Sequence, residues 1–300
     1  MIGQAIADGI LTGGILALGA IGYSLCSQIL KFANFAHGEL LTWGAYIGLA
    51  VISFMPAGEQ IGPFSFGWSL LPAIVIACVG TGLIAIAMDE LVFSRLRGLR
   101  ANRLTLVFAS FGIALMLRHA ILLFWGSDAY YYSTALQMSI EVLPDIRMMP
   151  DQVFVLVLTA LLVLGLHLFL THSRVGIAMR SMADNTALSQ VCGIDIRNVV
   201  RWTWMLGGAL AALAGIFAGL TVQIRPELGF NMLLALFAAA ILGGSGNLFG
   251  AVAGGLIVGL SESLSTLVLP TGYKAAIPFV LLLIVLSMRP QGLFTKSSRI

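Results

Sequence analysis

The segment VFVLVLTALLVLGLHLFL, residues 153–170, decides the fold of this chain. It is apolar almost throughout and contains no Asp, Glu, Lys or Arg. A membrane-spanning helix needs roughly 20 mostly apolar residues, whereas a transmembrane strand would alternate apolar and polar side chains. The segment does not alternate, so it predicts a transmembrane helix.

The rest of the chain has the same character. It comprises 300 residues, of which 59% are hydrophobic and 10% charged, with a mean hydropathy of +1.00. A soluble domain carries about 25% charged residues to cover its surface. This composition excludes a soluble enzyme, a disordered chain and an outer-membrane barrel. It predicts an all-α polytopic transmembrane bundle that forms a single domain over residues 1–300.

Nine segments are candidates for membrane spans, so we expect about eight or nine crossings. The second span is the least regular, because polar residues crowd its start. The seventh is short, and it either extends back over Glu227–Phe230 or is a partly re-entrant segment. The nine segments are Gly9–Leu30, Phe35–Phe54, Trp68–Met88, Leu104–Trp125, Val153–Leu170, Val200–Val222, Asn231–Leu242, Phe249–Leu269 and Ala275–Met288.

The basic residues indicate the orientation. If the loops after spans 1, 3, 5 and 7 and the C-terminal tail are cytoplasmic, they hold twelve of the sixteen Lys and Arg residues, as expected when positive charge stays inside. The C-terminus is then cytoplasmic. The net charge of +3 is small and the basic residues lie at helix ends, so we expect no nucleic-acid partner. The twelve are Lys31, Arg95, Arg97, Arg100, Arg103, Arg174, Arg180, Arg197, Arg201, Arg289, Lys296 and Arg299.

Small residues recur every four positions in the last spans, which predicts close packing of helix backbones. The series are Gly207, Ala211, Gly215 and Gly219, then Ala235, Ala239 and Gly243, then Ala251, Gly255 and Gly259. In addition, LTGGILAL at 11–18 resembles LGGALAAL at 206–213, in helices that run in opposite directions. This similarity is consistent with an inverted repeat, although Gly- and Ala-rich helices also resemble one another by chance.

The longest cytoplasmic stretch, residues 172–199, predicts a short amphipathic helix over Gly176–Val191 that ends at Gly193. Three roles remain open for this helix. It could insert into a groove on a cytoplasmic partner, lie on the lipid surface, or only connect two spans. Its mixed charge argues against a purely lipid-binding role.

Four motifs together resemble the LivH-type permease family of branched-chain amino-acid ABC importers. They are KFANFAHGE at 31–39, RVGIAMRS at 174–181 with CGID at 192–195, FAAAILGGSGNLFGA at 237–251, and RPQGLF at 289–294. They occur in the same order as in that family and extend over nearly the whole chain. The loop at 126–152 carries no such motif. It is either a solvated loop with an interfacial aromatic belt or a docking surface for an external partner.

The resemblance implies an assembly in a bacterial inner membrane. Its other members would be a second homologous permease subunit, two ATP-binding cassette ATPase subunits and a periplasmic solute-binding protein. The cytoplasmic helix would engage the ATPase, so the resemblance makes it a coupling helix. The residues assigned to coupling are Arg174, Gly176, Arg180, Ala183, Asp184, Ala187, Gly193 and Ile194.

Five polar residues within or next to the spans are candidates for the solute path. They are Asn34, His37, Glu39, Arg118 and Glu262. The first three either line the path at a break in the second span or only hold the start of that helix. Arg118 pairs with a carboxylate, for which Glu262 is a candidate by depth, or it contacts a carboxylate of the solute.

Other functions fit the sequence less well. The chain lacks the GxxxxGK[ST] phosphate loop, HExxH and GxSxG, so we expect no enzyme activity, metal site or cofactor, and ATP hydrolysis on a separate subunit. An ion-coupled secondary transporter is the alternative from another class, with Glu39 or Glu262 as the titrating carboxylate. Within the family, the solute could instead be urea or a short-chain amide.

Overall fold

A computed structural model of the chain describes residues 2–55, 60–133, 137–144, 146–244, 246–289 and 292–294. The long helices are α1 (Ile2–Leu30), α2 (Ala36–Phe54), α3 (Leu70–Met88), α5 (Arg103–Trp125), α6 (Pro150–His172), α9 (Ile196–Thr221), α10 (Leu228–Gly243), α11 (Leu248–Ser265) and α12 (Ile277–Met288). The short elements are a π-turn (Asp89–Phe93), α4 (Ser94–Gly98), a hairpin of β1 (Ile140–Leu143) and β2 (Ile146–Met148), α7 (Arg174–Asp184), α8 (Thr186–Val191) and a 3-10 turn (Thr271–Ala276).

All nine predicted spans are helical. Seven helical segments in the described part of the chain are long and apolar enough to cross a membrane, and α2 and the shorter α10 complete the nine. The seventh span does extend back toward Glu227, since α10 begins at Leu228, but with 16 residues it remains shorter than the other candidate spans. The first span is longer than predicted and begins at Ile2 rather than Gly9, because Asp8 does not interrupt the helix.

The helices α1 and α9 form the centre of the bundle, and both are mostly buried by their neighbours. The small-residue series lie at helix contacts, as predicted. A Cβ at Gly207 would meet Cys26 on α1, one at Gly215 would meet the Leu41 carbonyl on α2, and one at Gly259 would meet Gly13 on α1. These backbones therefore pack closely because glycine leaves room for them.

The packing has the reciprocal pattern expected of an inverted repeat. The helix α1 packs against α10 and α11, whereas α9 packs against α2 and α3. Gly13 on α1 contacts Leu256 on α11, and Gly208, its counterpart in the similar segment of α9, contacts Gly82 on α3. Each half of the chain thus packs its central helix against the other half.

The loops sort into two ends of the bundle. At one end, Lys31 Nζ donates to the carbonyl of Ala183, and the amide of Gly246 donates to Ser24 Oγ. At the other end, Gln4 Nε2 donates to the carbonyl of Arg147. The first end holds the loops rich in basic residues, in agreement with the predicted alternation of spans. Lys296 and Arg299, which belong to the predicted basic tail, lie outside the described residues.

The prediction of a single helix over Gly176–Val191 is wrong in one respect, because the segment forms two helices, α7 and α8. Asn185 lies between them in an extended conformation, and its Oδ1 accepts a hydrogen bond from Leu188 N at the start of α8. An Asn side chain competes for backbone donors in this way and so begins a new helix. The predicted end at Gly193 is confirmed by its positive φ of 83°.

Candidate functional site

The first candidate site is the break between α1 and α2. The helix α1 ends at Leu30, and the next residue, Lys31, has a left-handed backbone conformation. Phe32 and Asn34, which follow, are buried. Asn34 Oδ1 then accepts a hydrogen bond from Ala36 N, which starts α2. The polar start of α2 therefore lies inside the bundle, beside the middle of α1, rather than at its surface.

His37 and Gly38 fit this buried position through backbone contacts. The Nε2 of His37 donates to the carbonyl of Gly19 in the middle of α1, at 3.1 Å. Gly38 faces Gly229 on α10, and a Cβ on either glycine would meet the carbonyl oxygen of the other. The break thus joins the two halves of the bundle at a point where no side chain fits.

Glu39 forms a buried ion pair with Arg118. Arg118 Nη2 lies 2.6 Å from Glu39 Oε1, and the Arg118 guanidinium also sits 4.2 Å from the centre of the Phe230 ring. The predicted pairing of Arg118 with Glu262 is wrong. Depth alone could not reveal that α5 packs against α2, and Glu262 has no ion-pair partner among the described residues although it is buried on α11.

A cavity adjoins this ion pair. Its volume is about 10 Å³, which is near the lower limit for one water molecule. Glu39 Oε2 and Arg118 Nε are buried without a hydrogen-bond partner, as are Asn34 Nδ2 and His37 Nδ1 nearby. Apolar side chains complete the lining: Phe35, Phe111, Ala114, Leu115, Phe230 and Leu233. The cavity is therefore surrounded by apolar side chains, with a free hydrogen-bond acceptor on the negatively charged Glu39 and a free donor on the positively charged Arg118.

The segment at residues 172–199 forms the second candidate site, and it is fixed tightly to the bundle. Gly176 lies against the Leu170 carbonyl at the end of α6, where a Cβ would not fit. Arg180 Nη2 donates to the carbonyl of Thr171, and the carbonyl of Ala183 accepts from Lys31. These contacts attach α7 to α1 and α6.

The outward face of α8 is apolar. Leu188 is 61% exposed and Val191 is 85% exposed, and Ala187 beside them is also exposed. Asp184 and Arg174 are exposed on α7, whereas Ile194 is half-buried between Gly193 and the start of α9. The coupling candidates thus divide into residues that attach the segment and residues that face outward.

A charged cleft next to α8 was missed by the sequence analysis. Arg97 lies 2.8 Å from Asp89 on the π-turn, and Arg201 on α9 lies 2.7 Å from Glu90. The cleft has a volume of about 530 Å³ and extends to Gln190 on α8. The acidic pair at the end of a span, followed by several arginines, was the available signal. The π-turn has no marker in the sequence.

The long loop at the opposite end is partly anchored in the bundle. Tyr132 Oη donates to the carbonyl of Ala45 at 2.8 Å, and burial raises the pKa of the Tyr132 hydroxyl. Tyr130 pairs with Ile224 through two backbone hydrogen bonds. The loop is therefore more than a solvated connection. Asp145 and residues 134–136 of this loop lie outside the described residues.

The glycine-rich segment between α10 and α11 reverses the chain within a few residues. Gly244 and Gly246 have φ values of 83° and 93°. The amide of Leu293 donates to the carbonyl of Leu242, so part of the RPQGLF motif at 289–294 packs beside this turn. Pro290 and Gln291 of that motif lie outside the described residues.

Comparison with known proteins identifies the relatives of this chain. Residues 5–286 match the family model described as branched-chain amino acid transport system / permease component. The chain is 31% identical to the high-affinity branched-chain amino acid transport system permease protein BraD of Pseudomonas aeruginosa, covering 97% of this chain and 94% of BraD. It is also 31% identical to LivH of Escherichia coli, with the same coverage.

A more distant relative and a solved structure extend the comparison. The probable LivH of Methanocaldococcus jannaschii is 28% identical, over 95% of this chain and 90% of that protein. Among solved structures, PsaBC from Streptococcus pneumoniae in complex with Fab matches with a TM-score of 0.50 and 14% identity, covering 96% of this chain and 91% of that chain. At that identity the match concerns the fold alone.

Proposed function

This chain belongs to the family of permease components of branched-chain amino acid ABC transport systems, and we propose that it carries a branched-chain amino acid across a bacterial inner membrane. It is a multi-pass transport subunit and not an enzyme. Its C-terminus and basic loops would be cytoplasmic. The complete importer would contain a second related permease subunit, two ATPase subunits and a periplasmic solute-binding protein.

The observation that carries this proposal is the apolar outward face of α8. Leu188 and Val191 are exposed at the basic end of the bundle, next to loops rich in arginine and outside the apolar spans. Exposed apolar side chains in such a place favour a protein partner rather than water or lipid tails. An ATPase subunit is the partner that the family implies.

The attachments of α7 give this face a mechanical connection to the bundle. Lys31 connects α7 to the end of α1, and Gly176 packs against the last turn of α6. Arg201, just beyond the segment, connects α9 to the end of α3 through Glu90. ATP-driven movement of the ATPases would therefore tilt several spans together. Alternating access requires such a concerted movement of helices.

The ion pair of Glu39 and Arg118 supports an amino acid as the solute. A zwitterion offers an ammonium group and a carboxylate, which complement the unpaired Glu39 Oε2 and Arg118 Nε, and an apolar side chain suits the ring of Phe35 and its neighbours. The cavity holds at most about one water in this state, so we infer that the path is closed here. Urea and amides are neutral and would not need a charged pair.

Reconstitution of the complete importer tests the proposal. ATP and the solute-binding protein should drive uptake of leucine, isoleucine or valine into proteoliposomes, and urea or acetamide should not compete. Accumulation by this chain alone under an ion gradient would contradict the proposal.

A matched pair of variants tests the docking face separately. Val191→Glu should abolish co-purification of the ATPase, because it places a charge on the apolar face of α8. The same change at Val142, 46% exposed on the hairpin at the opposite end, should leave ATPase binding unchanged. Equal ATPase binding by the Val191→Glu protein and the unaltered protein would refute the assignment of α8.

A further inference from the structure

A cleft on another side of the bundle belongs to neither site described above. Its first part is an apolar groove between α1, α6 and α11, with a volume of about 510 Å³. Gly14 on α1, Ala160 and Leu164 on α6, and Leu256 on α11 line it. Ala160 and Leu164 are exposed, so the groove opens sideways from the bundle, toward the lipid.

The second part of the cleft is a pocket of about 270 Å³ at the basic end, where several polar groups interrupt a mainly apolar lining. Ser24 and Gln28 on α1, Thr171 at the end of α6, Arg180 on α7 and Asn247 line it. The two parts adjoin each other at His167 and Phe249, which line both and whose rings pack at 4.7 Å. A molecule in this cleft would therefore contact apolar side chains along one end and hydrogen-bonding groups at the other.

The pocket at the basic end has one charged side chain. Arg180 is the only Lys, Arg, Asp or Glu among the described residues that line it. One N–H of its guanidinium reaches the carbonyl of Thr171, which leaves further donors of the five free. The pocket is therefore complementary to an anion, and a planar guanidinium suits the oxygens of a phosphate.

The apolar groove lies along the middle of α6, and its length is similar to the thickness of one leaflet. From Leu156 to His167 the helix α6 advances eleven residues, which is about 16 Å at 1.5 Å per residue. The hydrocarbon core of a bilayer is about 30 Å thick, so its half is close to this length. The groove would therefore accommodate an acyl chain whose headgroup lies at the basic end.

We propose that this cleft binds one anionic glycerophospholipid, with an acyl chain in the groove of α1, α6 and α11 and its phosphate at Arg180. The proposal does not depend on which solute is carried. Because Arg180 belongs to α7, the bound headgroup would contact the cytoplasmic segment directly. Lipid composition would then influence how firmly that segment is held.

Native mass spectrometry of the full-length chain in detergent tests the proposal, with phosphatidylglycerol and phosphatidylcholine of identical acyl chains as probes. One arginine near an anionic headgroup contributes about 1 kcal/mol, so we expect phosphatidylglycerol to bind about fivefold more tightly. Arg180→Gln should remove this preference, and Arg180→Lys should retain most of it. The control Arg103→Gln, at the exposed start of α5, should have no effect.

The groove is tested by two neighbouring substitutions. Ala160→Trp fills it and should weaken binding of both lipids about tenfold, by roughly 1.4 kcal/mol. Leu161→Trp places the same side chain on the exposed part of α6 outside the groove and should change nothing. The proposal is overturned if the two lipids bind equally to the unaltered chain, or if the Ala160→Trp protein retains both lipids. It is likewise overturned if inorganic phosphate displaces phosphatidylglycerol at equal concentration.

Discussion

Replacing Arg118 by leucine would leave Glu39 without its counter-ion inside the bundle. The Glu39 side chain is 2% exposed, so its carboxylate cannot turn to water, whereas Arg118 is 17% exposed. Removing one partner of a buried ion pair costs about 3–5 kcal/mol. The lost contact of the guanidinium with the Phe230 ring adds about 0.5–2 kcal/mol. We therefore expect Arg118→Leu to lower the free energy of unfolding by at least about 3 kcal/mol.

The complementary change at Glu39 should lower the free energy of unfolding by a smaller amount. Glu39→Gln keeps the volume of the side chain and an oxygen that accepts a hydrogen bond, and Arg118 retains its ring contact and its partial exposure. A cost of about 1–3 kcal/mol is expected. In the double variant no charge is left unpaired, so its cost should fall short of the sum by at least about 1 kcal/mol.

Unfolding in mixed micelles with increasing SDS, followed by tryptophan fluorescence, measures these energies. Trp43 lies one turn after Glu39 on α2 and donates to the carbonyl of Leu117, next to Arg118, so its fluorescence reports on the surroundings of the pair. The matched control is Arg201→Leu, which breaks an ion pair that is about half exposed and should cost less than about 1 kcal/mol. If the two single changes at Glu39 and Arg118 add within about 0.5 kcal/mol, the reasoning is refuted.

Three further predictions concern the backbone and the outer loop. Gly229→Ala should lower the free energy of unfolding by about 1–3 kcal/mol, because its Cβ would meet the Gly38 carbonyl. The control Gly112→Ala, in an open part of α5, should raise the free energy of unfolding by up to about 1 kcal/mol. Equal effects of the two changes in SDS unfolding would contradict the contact between Gly229 and Gly38. Gly193→Ala forces a side chain into a left-handed conformation and should speed amide hydrogen exchange across α8, whereas unchanged exchange would contradict this role. Tyr132→Phe should cost about 1 kcal/mol at neutral pH. Because burial raises the pKa of Tyr132, the folded state keeps its proton while the unfolded state ionises above about pH 10, so stability should fall above that pH in the unaltered chain and less in the variant.

The spans and the packing seams could be predicted because they depend on local composition. A run such as residues 153–170 is apolar whatever surrounds it, and the four-residue spacing of Gly207, Ala211 and Gly215 fixes one face of a helix. The interruption at Asn185 also has a local cause, in a side chain that competes for backbone donors. There the sequence carried the signal and the prediction overlooked it.

The partner of Arg118 could not be predicted in this way. Glu39 and Glu262 are both buried carboxylates, and only the packing of α5 against α2 decides between them. The cleft at Asp89 and Glu90 is similar, because its second wall comes from α9, more than a hundred residues away. Contacts between distant segments depend on the bundle as a whole, which a single sequence does not display.

The exchange of helices between the two halves has a consequence for how the protein is made. The helix α1 is synthesised well before α11, against which its Gly9 and Gly13 pack, because α11 begins only at Leu248. At about 5–20 residues per second, α1 waits roughly 10–50 s in the bilayer with its glycine face against lipid. The N-terminal half therefore cannot mature as an independent unit, and a ribosome that stalls before α11 leaves behind an unassembled helix that quality-control proteases can recognise.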